Sequence, residues 1–119
     1  MPAKPEFTAN DFRIEICKAM PGYDWTVHKS RTAGYLEATG KITSGFNRLS
    51  TLSIVRTERD DKIVYTSKSA GFGLRAKWLH TNSDGTLARS LRGLQEFYEH
   101  MENTYGGHAR ALKNARTID

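Results

Sequence analysis

Residues 86–105, TLARSLRGLQEFYEHMENTY, carry the clearest structural signal in the chain. Large apolar side chains recur there at steps of four, three, four, three and four residues, the repeat that keeps side chains on one face of an α-helix. These side chains are Leu87, Leu91, Leu94, Tyr98, Met101 and Tyr105. The spacing predicts an amphipathic helix of about five turns.

The residues around this helix set its expected limits. Ser83 or Asp84 can cap its start, and Gly106-Gly107 is expected to end it. Gly93 lies inside it, where a glycine costs about 1 kcal/mol relative to alanine, so we expect another backbone to approach closely there. The basic segment 108–119 is expected to add one or two helical turns or to stay mobile.

The segment between residues 23 and 70 changes to the period of a β-strand. Apolar residues alternate with polar ones in four runs, which are marked by Trp25 and Val27, Leu36 and Ala38, Leu52 and Ile54, and Ile63 and Tyr65. Turn-forming residues separate the runs at 30–34, 43–47 and 58–62. Connections this short favour antiparallel hairpins, so the pattern predicts a four-stranded antiparallel meander.

Residues 8–20 predict a first helix. Thr8 can cap it, Asp11 follows three residues later as in a capping box, and Pro21-Gly22 stops it. The alternative is a strand, because apolar residues also alternate with charged ones there; these are Phe12, Ile14 and Ile16 against Arg13 and Glu15. We favour the helix because both of its ends carry helix signals.

Together these elements predict an α+β fold: an N-terminal helix, a four-stranded antiparallel β-meander, and a long C-terminal helix packed on one face of the sheet. Residues 70–85 are expected to form a linker with a short strand or turn around 74–79. We expect a flexible lead-in over 1–7, a single domain over 8–107 and a basic tail over 108–119.

The charge of the chain indicates an acidic partner. Its formal net charge is +5, and ten basic residues against four acidic ones lie between Lys41 and Arg92. If one sheet face packs on the long helix, the other presents hydroxyls and cations, which suit phosphate oxygens. That face would hold Thr26, His28, Thr39, Lys41, Thr51, Ser53, Thr57, Arg59, Lys62, Thr66 and Lys68. The alternative is a merely solvated sheet face rich in good strand formers.

Two further groups of residues are candidates for the same ligand. Arg75, Lys77 and Trp78 combine cations with an aromatic ring that can stack on a base, although a tryptophan in so small a domain packs in the core more often. Arg89 and Arg92 lie near the start of the long helix, where free N–H groups also favour anions. Their alternative role is to keep the helix soluble.

Several classes of protein find no support in the sequence. One cysteine, Cys17, permits neither an intrachain disulfide nor a cysteine metal cluster; it fits a reducing cytoplasm and is expected to be buried. No apolar run approaches the roughly 20 residues that cross a bilayer. Neither a nucleotide-binding glycine motif nor a metal-binding H-E-x-x-H motif occurs. We therefore expect a cytoplasmic protein that is not an enzyme, with no cofactor, metal or membrane.

Two functions remain as hypotheses. The first is a module that binds nucleic acid or a nucleoprotein complex. The second is a regulator or inhibitor that docks on a large host protein complex without needing free nucleic acid, as do anti-defence proteins of phages and plasmids such as anti-CRISPRs. The four-three spacing over 86–105 also allows a homodimer through that helix, although burial against the chain's own sheet is favoured.

Overall fold

The structure is a computed structural model that describes residues 7–44, 47–70 and 78–116. In chain order its elements are α1 (Ala9–Ala19), β1 (Asp24–Val27), β2 (Tyr35–Ser44), β3 (Asn47–Arg59), β4 (Lys62–Ala70), β5 (Trp78–Asp84) and α2 (Leu87–Arg116). The strands form one antiparallel sheet in which sequence neighbours pair, in the order β1-β2-β3-β4-β5. The predicted α+β class and its element order are confirmed.

The first helix starts at the predicted capping box. The Thr8 hydroxyl accepts a hydrogen bond from the Asp11 backbone N–H, and the Asp11 carboxylate accepts one from the Thr8 N–H. Phe12 and Ile16 are fully buried whereas Ile14 is exposed, as a helix requires and a strand would not allow. The helical reading of this segment is therefore confirmed. Cys17, on the outer side of α1, is exposed, so its predicted burial is wrong.

A fifth strand occupies the region that was predicted to be a linker. β5 pairs with β4 from Tyr65↔Asp84 to Ala70↔Trp78, with an irregularity after Ser69. The prediction of four strands missed it because Asn82, Ser83 and Asp84 favour turns in isolation. In the fold, the Asn82 side chain instead donates to the Ser90 carbonyl of α2, and the backbone joins the ladder. The predicted turn or strand around residues 74–79 lies mostly outside the described residues.

The β3–β4 hairpin turns where the sequence predicted, at Asp60-Asp61. Both residues have positive φ, 50° and 63°, which is typical of a tight two-residue hairpin turn. Aspartate tolerates that conformation better than most residues other than glycine. The turn fixes the register of the two central strands, and with it the face on which every side chain of β3 and β4 lies.

The core lies between the sheet and both helices, which cover the same sheet face. Phe12 and Ile16 of α1 and the first three turns of α2 pack against the buried side chains of this face. The cluster comprises Phe12, Ile16, Trp25, Ala38, Leu52, Ile54, Tyr65, Leu87, Leu91 and Leu94. The predicted packing of the strand runs on the long helix is confirmed for Trp25, Leu52, Ile54 and Tyr65 with Leu87, Leu91 and Leu94. Ile63, which was expected on the same face, is exposed, and Met101 lies beyond the cluster.

Helix α2 is longer than the sequence indicated. Thr86, not Ser83 or Asp84, caps its start, because its hydroxyl accepts from the Arg89 N–H at 3.2 Å. The predicted end at Gly106-Gly107 is wrong, and residues 108–116 of the predicted tail are its last turns. Glycine ends a helix by entering the left-handed region. Within the described residues, Gly34, just before β2, is the glycine with a positive φ, so Gly106 and Gly107 keep a helical backbone.

Gly93 marks the closest approach between α2 and the sheet. A Cβ at this position would lie 2.3 Å from the Asn82 amide nitrogen and 2.7 Å from its carbonyl carbon. The predicted close approach is therefore present, but a side chain and not a backbone makes it. The same amide nitrogen donates to the Ser90 carbonyl at 2.9 Å, so it cannot retreat without losing that bond.

We expect Gly93→Ala to destabilise the protein although alanine is the better helix former. The helix gains about 1 kcal/mol, but displacing Asn82 leaves buried polar groups unpaired at a cost of about 1–3 kcal/mol. Gly107→Ala is the control, because a Cβ there meets nothing within 4 Å. Urea unfolding should show a loss for the first variant and a gain of up to about 1 kcal/mol for the second. Equal gains would contradict the contact.

Candidate functional site

The sheet face turned away from the helices carries the side chains that the charge pattern predicted. Cross-strand pairing joins Thr26, Thr39, Ser53, Lys68 and Thr81 in one row, and Asp24, Lys41, Thr51, Ala70 and Trp78 in the next. Alternate residues along these strands also place Thr57, Arg59, Lys62 and Thr66 on it. We call this surface the open face. His28, just past β1, joins it through a 2.7 Å hydrogen bond to Thr39.

Two lysines of the open face lie in adjacent rows. Lys68 is the cross-strand partner of Ser53, and Lys41 is the partner of Thr51. Two strand spacings and two residues separate the lysines, which puts their Cα atoms about 12 Å apart. The backbone register thus places a pair of cations on either side of the central strand β3.

Trp78 completes this corner of the open face. The Lys68 ammonium lies 4.8 Å from the centre of the Trp78 ring, within the range of a cation–π contact. The ring is 46% exposed and does not belong to the core cluster, so its expected packing in the core is wrong. The reason is that β5, which the sequence pattern hid, carries Trp78 on its outer side. We call Lys41, Lys68 and Trp78 the basic corner.

Beneath the basic corner, two hydroxyls of β3 are buried without a hydrogen-bond partner. Thr51 is 7% exposed and Ser53 is 1% exposed, and neither side-chain oxygen is paired in the part of the chain that the structure describes. An unpaired buried hydroxyl costs about 1–3 kcal/mol. Unpaired buried hydroxyls are rare in folded proteins. These two lie on β3, between Lys41 of β2 and Lys68 of β4, at the centre of the open face.

Arg59 and Lys62 share the open face but lie far from the basic corner. They are cross-strand partners beside the hairpin turn, six residues along their strands from Ser53 and Lys68, which corresponds to about 20 Å. The two aspartates of the turn, Asp60 and Asp61, lie between them in sequence. Their charges therefore balance locally, and the hairpin tip contributes little net positive potential.

The remaining candidate residues are not brought together with the basic corner. Arg89 and Arg92 belong to α2, in the layer on the opposite side of the sheet. Both are exposed, and Arg92 lines a groove against the end of α1 together with Glu96 and Glu99. Arg75 and Lys77 lie outside the described residues. The sequence prediction therefore mixed two sides of the molecule.

Acidic groups limit the positive potential of the open face. Asp24 is the cross-strand partner of Lys41 at the edge of the sheet. Glu37 accepts a hydrogen bond from the Tyr35 hydroxyl at 2.9 Å, which holds this carboxylate close to its own strand. Lys41 thus has an acidic cross-strand neighbour, whereas the cross-strand partners of Lys68 are Ser53 and Thr81.

Arg56, one of the ten basic residues between Lys41 and Arg92, lies inside the fold. Arg56 faces the helices and is buried; its Nε donates to the Tyr65 hydroxyl at 3.1 Å and its Nη1 to Glu58 at 3.4 Å. Its guanidinium also lies 3.9 Å from the centre of the Phe7 ring. Phe7, expected in a flexible lead-in, is thus half-buried against the core.

The surroundings of Arg56 also act on Tyr65. Burial, followed by a hydrogen bond to Glu15, raises the pKa of the Tyr65 phenol to about 12. The hydroxyl therefore stays protonated at neutral pH, so it can donate to Glu15 of α1 while its oxygen accepts from Arg56. This polar cluster links α1 to the sheet. It also holds the Arg56 guanidinium inside the fold, where it cannot bind a ligand. Hydrophobic alternation around Ile54 and Arg56 was the signal that could have placed Arg56 inward.

Neither a metal centre nor a membrane-spanning helix is found in the described residues. No group of three or more His, Cys, Asp or Glu side chains there is arranged to hold a metal ion. Neither described helix combines the length and apolar character that crossing a membrane requires. No protein-family model matches this chain, and no curated protein and no solved structure matches it either.

We expect Arg56→Ala to destabilise the fold by about 2 kcal/mol or more, because it leaves the buried Tyr65 hydroxyl without its donor and opens a void under Phe7. The matched control is Arg59→Ala, which removes an exposed arginine from the same strand and should change stability by less than about 0.5 kcal/mol. Thermal and urea unfolding of the two variants measure the difference. Equal stabilities would contradict an inward structural role for Arg56.

Proposed function

We propose that this chain is a small non-enzymatic binding protein of the cytoplasm that takes nucleic acid, free or within a nucleoprotein complex, on its open face. The observation that carries the proposal is the basic corner: Lys41, Lys68 and the exposed Trp78 ring on one surface. Cations neutralise phosphates, and an exposed aromatic ring stacks on a base.

The chemistry of the basic corner favours a single-stranded segment. A base can stack on Trp78 only if it is unstacked from its neighbours, which a duplex does not allow without distortion. The corner is also an exposed surface of a sheet, and sheet surfaces of this kind bind single strands in several unrelated modules. Because phosphate neutralisation releases counterions, affinity should fall steeply as salt rises.

The competing function is a protein-interaction regulator or inhibitor of the mobile-element type, which docks on a large protein complex. The edge strand β5 supports this alternative, because its consecutive residues Trp78 and Leu79 are both exposed at the limit of the sheet. Edge strands with exposed apolar side chains are sites where other proteins add. In that case the protein would bind its partner tightly and show no affinity for free nucleic acid.

Charge reversal can test the position of the interface. We expect Lys41→Glu with Lys68→Glu to weaken binding of a fluorescent single-stranded probe at least tenfold and to lower the salt slope by about two. Arg89→Glu with Arg92→Glu changes the net charge equally on the opposite side of the molecule, so it should have a much smaller effect. Fluorescence anisotropy at two salt concentrations, with single- and double-stranded probes, measures both.

Two results would contradict this assignment of the interface. If both double variants weaken binding equally, only net charge matters and the open face is not the site. If the unmodified protein binds no probe even at low salt, nucleic acid is not its free ligand and the protein-interaction function is favoured.

Trp78→Ala should weaken binding of the single-stranded probe by about tenfold, because one stacked base contributes about 1–3 kcal/mol. Leu79→Ala removes an exposed apolar neighbour from the same strand and should leave the affinity within about twofold. The intrinsic fluorescence adds a direct readout, since Trp25 is buried and Trp78 is exposed. Quenching by the probe that persists in the Trp78→Ala protein would contradict stacking on Trp78.

A further inference from the structure

In the part of the chain that the structure describes, the second half of α2 contributes no residue to the core. The buried residues of α2 all lie between Leu87 and Leu94, and Phe97 and Tyr98 make its last ring contacts, with His80 of β5. We call residues 99–116 the projecting half. It spans about 27 Å, and its side chains beyond Met101 are exposed.

The apolar stripe of α2 continues along the projecting half. The four-three steps that place Leu94 and Tyr98 on the sheet lead on to Met101, Tyr105 and Leu112. Tyr105 is 65% exposed and Leu112 is 67% exposed. A helical stripe of this spacing is the seam by which two helices pack. The residues predicted to form a homodimer, 86–105, are thus divided: the first part packs on the chain's own sheet, and the stripe beyond it remains open.

Four of the five charged residues of the projecting half are arranged symmetrically, with opposite signs, around Gly106; the fifth is Arg116 at its end. Glu102 and Arg110 lie four residues on either side of it, and Glu99 and Lys113 lie seven residues on either side. At 100° per residue, all four lie on one flank of the apolar stripe, as does Gly106 itself. None of them forms an ion pair within the described part of this chain.

We propose that two copies of this chain associate through their projecting halves, antiparallel across a two-fold axis near Gly106. In this arrangement Glu99 and Glu102 of each copy face Lys113 and Arg110 of the other, and Tyr105 and Leu112 share an apolar seam. A parallel pairing would instead place the charged flanks of the two helices on opposite sides of the pair, where these charges have no partner. The antiparallel pairing also places the two sheets at opposite ends of the helix pair.

The paired glycines support a partner for this segment. Gly106 and Gly107 together cost a free helix about 2 kcal/mol relative to alanine, and isolated helices of this length are marginal in water. Packing against a second helix offsets that cost, and a glycine on the charged flank lets the two backbones approach. Because one short helix pair buries less than the about 1,200 Å² of a standard interface, we expect a dimer that dissociates on dilution.

Sedimentation velocity over a dilution series tests the dimer with two complementary variants. The variant Glu99→Lys with Glu102→Lys makes the flank wholly basic, and Arg110→Glu with Lys113→Glu makes it wholly acidic. Each alone should self-associate at least tenfold more weakly than the unmodified chain, because like charges then oppose each other. Mixed in equal amounts, they should form a heterodimer, because each acidic stretch again faces a basic one. Circular dichroism checks that the helix content is retained.

The control for net charge is a mixture of the basic helix variant with Lys41→Glu, Lys68→Glu, which carries its added acidic residues on the sheet. The sheet variant has an unmodified projecting half, so it should dimerise with itself as the unmodified chain does. It should not draw the basic helix variant into heterodimers. A chain that stays monomeric at every soluble concentration, variants that dimerise as well as the unmodified chain, or a complementary mixture that stays monomeric would each overturn the proposal. The outcome is independent of nucleic-acid binding, which uses the other side of the molecule.

Discussion

The fold depends on the place where α2 crosses β4 and β5. There Ser67, Asn82 and Ser90 form a closed set of hydrogen bonds: the Ser67 and Ser90 hydroxyls lie 2.8 Å apart, and Ser90 donates to the Asn82 carbonyl while its own carbonyl accepts from the Asn82 amide. Buried polar groups fix an arrangement because they tolerate few alternatives. The leucines beside them supply the hydrophobic stabilisation, whereas this set determines where along the sheet the helix lies.

This crossing makes the sheet one-sided. Both helices occupy one face, so the alternating side chains of β2, β3 and β4 divide into a packed set and an outer set, and the register assigns each lysine to one of them. A slip of one residue in the β3–β4 hairpin would exchange Lys68 for Ser67 or Ser69 and bury the cation. The Asp60-Asp61 turn, far from the basic corner, therefore controls which groups the open face presents.

The sequence was sufficient for features that depend on local periodicity. The capping box at Thr8 and Asp11, the strands around Leu52 and Ile54, and the stripe from Leu87 to Leu94 all follow from residue spacing. It was insufficient where tertiary contacts override local preference. Asn82, Ser83 and Asp84 form a strand because β4 and Ser90 satisfy them, and Gly106-Gly107 stays helical although glycine favours termination. The membership of the open face was predictable from alternation, which also places Arg56 on the packed face with Leu52 and Ile54. The exposure of Trp78 was not predictable, because it depends on the pairing of β5 with β4, which spacing does not identify.

The apolar stripe of α2 has two parts with different surroundings, so its two parts have different roles. Leu87, Leu91 and Leu94 pack on the sheet, where the pairing of β4 with β5 ends one step beyond the row of Ser69 and His80. Beyond Leu94 the same four-three repeat continues without a buried residue in the described part of the chain, and the charge sequence changes from acidic to basic. A helix that only covered its own sheet would have no need of Tyr105 or Leu112. The exposure of Tyr105 and Leu112, together with opposite charges at equal distances from Gly106, suits a helix that packs against a copy of itself. The part of the stripe that extends beyond the core therefore supports the proposed dimer.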